Sequence, residues 1–174
     1  MGSEMCIRDR TNRALRALET FGIDPSITRE EFFKYKFDVE YSRESILSGV
    51  RNRYVKEMEG EEISDDLLPG FELIKNWNLR ADSLNTSAAL SILTLPNAFK
   101  PENLKYDRDS ITVKLRENMS YLKKQYGRID VPLGRVVRLV RGATSLPLSG
   151  GPGTLRAIYS LSLIHISEPT RPYW

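Results

Sequence analysis

Cysteine and histidine occur once each, as Cys6 and His165, and both lie close to a chain end. The long interior therefore has no thiol nucleophile, no imidazole base, no disulfide and no Cys or His metal ligand. A Ser-His-Asp triad is excluded from it. No apolar run approaches the roughly 18 residues that a membrane span needs, and no internal repeat or low-complexity tract occurs. The cluster Gly150-Gly151-Pro152-Gly153 is followed by neither Lys-Ser nor Lys-Thr and is not set in a strand-loop-helix order, which argues against a phosphate cradle. Its ordinary use is a turn, with glycine supplying positive φ and proline a fixed one.

The two ends differ in origin from the rest. Met5-Cys6-Ile7-Arg8-Asp9-Arg10 and Leu161-Ser162-Leu163-Ile164-His165-Ile166-Ser167 resemble translations, from opposite strands, of the transposon end used to tag sequencing libraries. Glu168-Pro169-Thr170-Arg171 continues that adapter. Residues 1–10 and 161–174 are therefore read as adapter-derived tails and set aside from fold reasoning. Residues 11–160 are read as a native insert, expected to be truncated at both ends. The tails are expected to have no selected part in fold or function, although Leu161, Leu163, Ile164 and Ile166 are available to collapse onto exposed surface.

Charged residues at 28% and hydrophobic ones at 40% fit one globular segment of about 150 residues. The tails carry three basic and three acidic residues, so the whole net charge of +3 belongs to the interior. Such a small excess gives little support to a nucleic-acid partner.

The interior reads as a succession of helices. Ala14, Leu15, Ala17, Leu18 and Phe21 recur at helical steps after Thr11-Asn12-Arg13, and Gly22 with Asp24-Pro25 ends the pattern. Thr28-Arg29-Glu30-Glu31 is a capping-box signature that predicts a short helix through Phe37. Ser42 is expected to cap the next helix, whose stripe runs Ile46, Leu47, Val50, Tyr54, Val55 and Met58 to Gly60. Ser64-Asp65-Asp66 opens another, with Pro69 in its first turn and Leu67, Leu68, Phe71 and Ile74 leading to Trp77. Asn85, Ser87, Ala88 and Ala89 with Leu90, Ile92 and Leu95 predict a small-residue helix closed by Pro96. After a linker at 101–106, Asp107 or Asp109 starts the longest helix, with Ile111, Leu115, Met119, Leu122 and Tyr126 on one face and Gly127 as its stop.

The pattern then changes. Two short apolar runs, 136–140 and 146–148, are separated by Gly142, and they predict a strand, a turn, a short strand and a loop. Asp38, Asp82 and the other acids are dispersed, with no spacing that argues for a metal or an acid/base pair.

Several of these stretches carry longer motifs. Near the start stand Asn12-Arg13-Ala14-Leu15-Arg16-Ala17-Leu18-Glu19, Asp24-Pro25-Ser26-Ile27-Thr28, Glu30-Glu31-Phe32 and Tyr35-Lys36-Phe37-Asp38. In the middle comes Trp77-Asn78-Leu79-Arg80-Ala81-Asp82-Ser83. Late in the chain are Pro132-Leu133-Gly134, Arg138-Leu139, Arg141-Gly142, Leu146-Pro147-Leu148, Gly150-Gly151-Pro152 and Thr154-Leu155-Arg156-Ala157. Together they resemble the β-chain of the penicillin amidase (penicillin acylase) superfamily of N-terminal nucleophile hydrolases, in particular the branch of acyl-homoserine lactone and aculeacin acylases. The resemblance covers nearly all of 11–160 and is strong at both ends and looser between. Gly153 stands where the family carries an acidic residue, and Asn78 where an aspartate is commoner, so a charge-dependent contact at Asn78 is expected to be lost.

The resemblance implies a mainly α fold, the helical knob of a β-chain over 11–130, followed by a strand and loop region over 131–160 that returns to the main sheet of an αββα parent. It implies an amidohydrolase that removes an acyl group from an amide. In that family the β-chain begins with a serine whose own α-amino group is the base, and an acyl-enzyme forms through a tetrahedral intermediate held by an oxyanion hole. That serine and the oxyanion asparagine are expected upstream of residue 11, so the chain alone is expected to be inert. Arg13 matches a family arginine beside the active site, supporting the groups that position substrate and oxyanion. Family members often bind a structural calcium through residues that this chain does not contain, and no cofactor is expected within it. The implied partners are the remaining α-chain and β-chain of the same precursor and a small acylated amide, with no nucleic acid and no membrane span. Periplasmic or secreted location is the family's usual one. The alternative is a small helical interaction module that binds an anionic partner through Arg128, Arg135, Arg138 and Arg141.

Overall fold

The computed structural model describes residues 11–96 and 106–156. Both tails and positions 101–105 of the expected linker lie outside the described residues. Helices α1, α2, α3 and α6 begin where a side-chain oxygen takes up an amide that the first turn leaves unpaired. Helix α1 (Asn12–Thr20) follows Thr11, whose hydroxyl accepts the Ala14 N–H at 3.3 Å, and runs into one turn of 3-10 helix at Phe21–Ile23. Helix α2 (Arg29–Lys36) has the expected capping box: Glu31 N–H donates to Thr28 Oγ1 at 3.3 Å, and Thr28 N–H to Glu31 Oε2 at 2.9 Å.

Helix α3 (Ile46–Met58) is capped by Ser45, not by Ser42. The reason is a turn closed by Ser45 N–H on the Ser42 carbonyl, which places Ser42 three residues too early. Its carbonyl instead receives the buried hydroxyls of Ser45 and Ser48, at 2.7 and 2.6 Å. Helix α4 (Leu68–Lys75) holds Pro69 in its first turn, where no amide is needed. Helices α5 (Ala88–Thr94) and α6 (Arg108–Tyr126) fall as expected, the latter capped by Asp107 and ended by left-handed Gly127 at φ 76°.

The stripes read from the sequence meet in one core. Leu47, Val50, Tyr54 and Met58 of α3 face Phe71 and Ile74 of α4, while Ala88, Ala89 and Leu90 of α5 lie against Ile111, Leu115 and Leu122 of α6. The alanines let α5 approach its neighbours closely, and each fully buried large side chain contributes about 1.5–3 kcal/mol. Arg51 on α3 donates through Nε to the Ile74 carbonyl at 3.0 Å and through a terminal nitrogen to that of Lys75, which closes the carbonyl end of α4.

The strand region departs from expectation at its start. Residues Leu133–Val136 form a helical turn, α7, and the first strand, β1, is only Arg138–Arg141. Pro132 fixes the entry to that turn, and Leu133 N–H and Gly134 N–H bond to the carbonyls of Asn85 and Ser83 at 3.0 and 2.8 Å. Burial of Val131 and Leu133 against those segments overrides the strand-like pattern. Strand β1 pairs antiparallel with β2 (Thr144–Pro147), Arg138 opposite Pro147 and Arg141 opposite Thr144. The short turn at Gly142 brings the second strand in two residues earlier than expected.

Helices α1 and α2 stand apart from this core. Neither contains a buried residue, and nor does the 3-10 turn between them. They are joined by the Phe21 and Tyr35 rings, edge to face at 5.2 Å, and by Tyr35 Oη donating to Asp24 Oδ2 at 2.8 Å.

Candidate functional site

Three segments, 38–42, 79–83 and 149–156, lie side by side and create the place where Arg13 sits. Ala81 N–H donates to the Val39 carbonyl and Tyr41 N–H to that of Leu79, both at 2.9 Å. Gly150 N–H donates to the Ala81 carbonyl at 2.7 Å, Ser83 N–H to Ser149 Oγ at 3.0 Å, and Arg156 N–H to the Asp38 carbonyl at 3.0 Å. The start of α1 closes this arrangement. Arg13, half-buried, donates through Nε to the Thr154 carbonyl at 3.3 Å.

The glycine-rich loop is a turn, as its composition suggests, and it is a tightly fitted one. Gly150 and Gly153 have φ of 113° and 80°, values that favour glycine. A Cβ on Gly151 would stand 2.5 Å from Tyr41 Oη. Fully buried Thr154 folds its hydroxyl back onto the loop, accepting Gly151 N–H at 3.1 Å and lying 2.6 Å from the Arg156 carbonyl. Tyr41 Oη donates to the Pro152 carbonyl at 2.9 Å, and its ring meets Trp77 edge to face at 5.6 Å. Burial pushes the Tyr41 phenol well above its ordinary pKa, so it is a donor at any physiological pH.

Sequence reasoning passed over the residues beside Arg13. The Asn12 carboxamide donates to the carbonyls of Glu40 at 3.2 Å and Gly153 at 3.0 Å, and accepts the Ser42 N–H at 2.7 Å. Arg16, one turn further on, sits among Glu19 at 2.8 Å, Asp38 at 2.5 Å and Glu40 at 3.5 Å. Burial opposes its charge, but the bonds to Asp38 and Glu19 outweigh this and hold its pKa above the ordinary arginine value. Nothing local marks these roles, because every partner but Glu19 is more than 20 residues away.

The tryptophan motif forms the outer corner of the same arrangement. Leu79 is left-handed at φ 63°, a conformation that needs outside support in a branched residue. Asn78 Oδ1 supplies it by accepting Arg80 N–H at 3.1 Å and Asn85 Nδ2 at 2.7 Å, while Trp77 Nε1 and Asn85 Nδ2 both reach the Arg80 carbonyl. The acceptor is what this geometry uses, and a neutral amide provides it.

Among the described residues, one cleft opens away from this arrangement and one at its outer corner. One of about 590 Å³ runs between the start of α4 and the end of α6, floored by Pro69 and Met119 and edged by the pairs Arg116–Asp66 and Arg128–Asp130. A shallower one of about 440 Å³ is lined by Asn78, Arg80, Asp82 and Asn85 at the Leu79 corner. The four arginines of the alternative reading lie on different elements, Arg138 and Arg141 on β1. Arg135 is on α7, Arg128 is paired with Asp130, and Arg138 is committed to Ser145 and to the Gly134 carbonyl. Among the described residues no group of three or more carboxylate, thiol or imidazole side chains could hold a metal ion. No family model matches this chain, and no curated protein sequence matches it.

Proposed function

We propose that residues 11–160 are β-chain sequence of a penicillin-amidase-type acylase, an amidohydrolase that removes an acyl group from an amide through an N-terminal serine. One observation supports this reading above others: the motif-bearing stretches 12–19, 35–38, 77–83 and 150–154, scattered along the chain, converge on one place. Asn12 and Arg13 bond directly to Gly153 and Thr154 across 141 residues of sequence. In this reading Arg13 is a positioning residue. Its guanidinium holds the loop through a carbonyl and contributes positive charge where an oxyanion develops. The nucleophile belongs to sequence that this chain does not include, with the rest of the precursor as its partner and a small acylated amide as the substrate.

The test is Arg13→Ala in an intact acylase that carries this segment, assayed for deacylation and for thermal stability. Turnover should fall on the order of 100-fold, the lower end for a lost oxyanion donor, with KM changed much less. Unchanged turnover would return Arg13 to packing. The chain as written should release no acid from penicillin G or a long-chain acyl-homoserine lactone. Activity that followed the purified chain through columns would refute the reading.

A further inference from the structure

Six of the twelve large hydrophobic side chains exposed among the described residues fall in one short stretch: Leu18, Ile23, Ile27, Phe32, Phe33 and Phe37. This stretch is also the α1–α2 pair, which buries none of its own residues. Glu30, Phe33 and Lys34 of α2 and Phe37 at its C-cap stand at i, i+3, i+4 and i+7 and so share a face, with the Arg156 guanidinium 5.4 Å from the Phe37 ring. The Phe33 and Phe37 rings stack at 6.3 Å, and both are nearly half exposed, at 43% and 48%. The charges are ordered along the same helix, with Glu30 and Glu31 in its first turn and Lys34 and Lys36 in its last.

We propose that this face is covered by a second copy of the chain, with the two α2 helices antiparallel across a two-fold axis. A two-fold brings a patch against itself, so the patch must be complementary to itself. Antiparallel α2 helices meet that requirement. Glu30 of one faces Lys34 of the other, the helix dipoles oppose favourably, and the phenylalanines meet between them. A parallel pair would set acid on acid and base on base. Phe33 and Phe37 together offer this face on the order of 200 Å² of apolar area per copy, well below the roughly 800 Å² a side of a standard interface, so the dimer is weak and depends on concentration. The proposal is independent of the acylase reading.

Sedimentation equilibrium of the full chain from about 1 to 200 μM should show a monomer passing to a dimer and no further. Phe33→Ser should weaken the dimer at least tenfold. Glu30→Lys and Lys34→Glu should each weaken it too, and an equimolar mixture of these two variants should regain it as a heterodimer. Far-UV circular dichroism identical to that of the parent checks that each variant is folded. A chain monomeric throughout this range would overturn the proposal, as would a dimer indifferent to all three substitutions or an assembly that grows without an end point. So would a monomer whose α2 amides lose exchange protection when the chain is ended at Arg156, since its own terminal segment would then be the cover.

Discussion

Replacing Asn12 with alanine removes one carboxamide that serves three backbone groups in two distant parts of the chain. A net contribution of about 0.5–1.5 kcal/mol for each hydrogen bond puts the combined loss at roughly 2–4 kcal/mol. Ser42 is fully buried, so its N–H has no water to turn to, which pushes the loss toward the upper figure. Helix propensity cannot account for a loss of this size, because alanine is the better helix former by about 0.5 kcal/mol and the Thr11 cap is untouched. Urea unfolding followed by circular dichroism measures the change. Asn12→Asp is the informative comparison: it keeps the acceptor for Ser42 but sets a carboxylate against the carbonyls of Glu40 and Gly153, and should be no more stable than the alanine variant. A loss below about 0.5 kcal/mol in the alanine variant would refute the reasoning, since the loop would then be held on α1 by other contacts.

Gly151→Ala should destabilise by about 1–3 kcal/mol through overpacking against Tyr41 Oη, and adding Tyr41→Phe should recover part of that. Purely additive losses would show that the two sites do not touch. The Glu57 carboxyl is held below the ordinary glutamate range by Tyr106 Oη at 2.6 Å and then by Arg53 Nε at 2.9 Å. A depressed folded pKa gives stability that is present above the unfolded value and lost as pH falls through the folded one. Tyr106→Phe should therefore raise the Glu57 titration seen by NMR and flatten the loss of stability as pH falls below the ordinary glutamate pKa. An unmoved midpoint would mean that Arg53 alone sets it.

Helix starts and stops were the legible part of this sequence, because they depend on neighbours in sequence. The Thr28–Glu31 capping box, the Asp107 start and the Gly127 stop all occur where local chemistry places them. Ser42 and Ser45 were harder, since either serine suits a cap and only the turn between them, with its buried hydroxyls, decides. The 136–140 run misled for another reason. It read as strand from its first residue, yet Pro132 and the contacts of Leu133 and Gly134 with 83–85 wind the chain into a turn that takes in Val136, and the strand starts only at Arg138. At the site, Arg13 stood out only through a motif. The bonds made by Asn12, Tyr41 and Thr154 gave no sign, since a carboxamide or hydroxyl that bonds to a distant carbonyl leaves no periodicity behind.

The contacts of Asn12 and Arg13 with Gly153 and Thr154 bear on the order in which this chain folds. Closing a loop of 141 residues costs about 4 kcal/mol in chain entropy, so these bonds form favourably only once the helices between have drawn the ends together. Helices α3 to α6 bury their stripes largely against one another and can assemble first. Helix α1 is thus secured in two stages, first on 38–42 through Asn12, Arg16 and Glu19, and later on the glycine-rich loop. A chain still on the ribosome with residue 149 as its newest would already contain α1 to α7 and the first of these contacts, while Asn12 and Arg13 still lacked the carbonyls of 153 and 154.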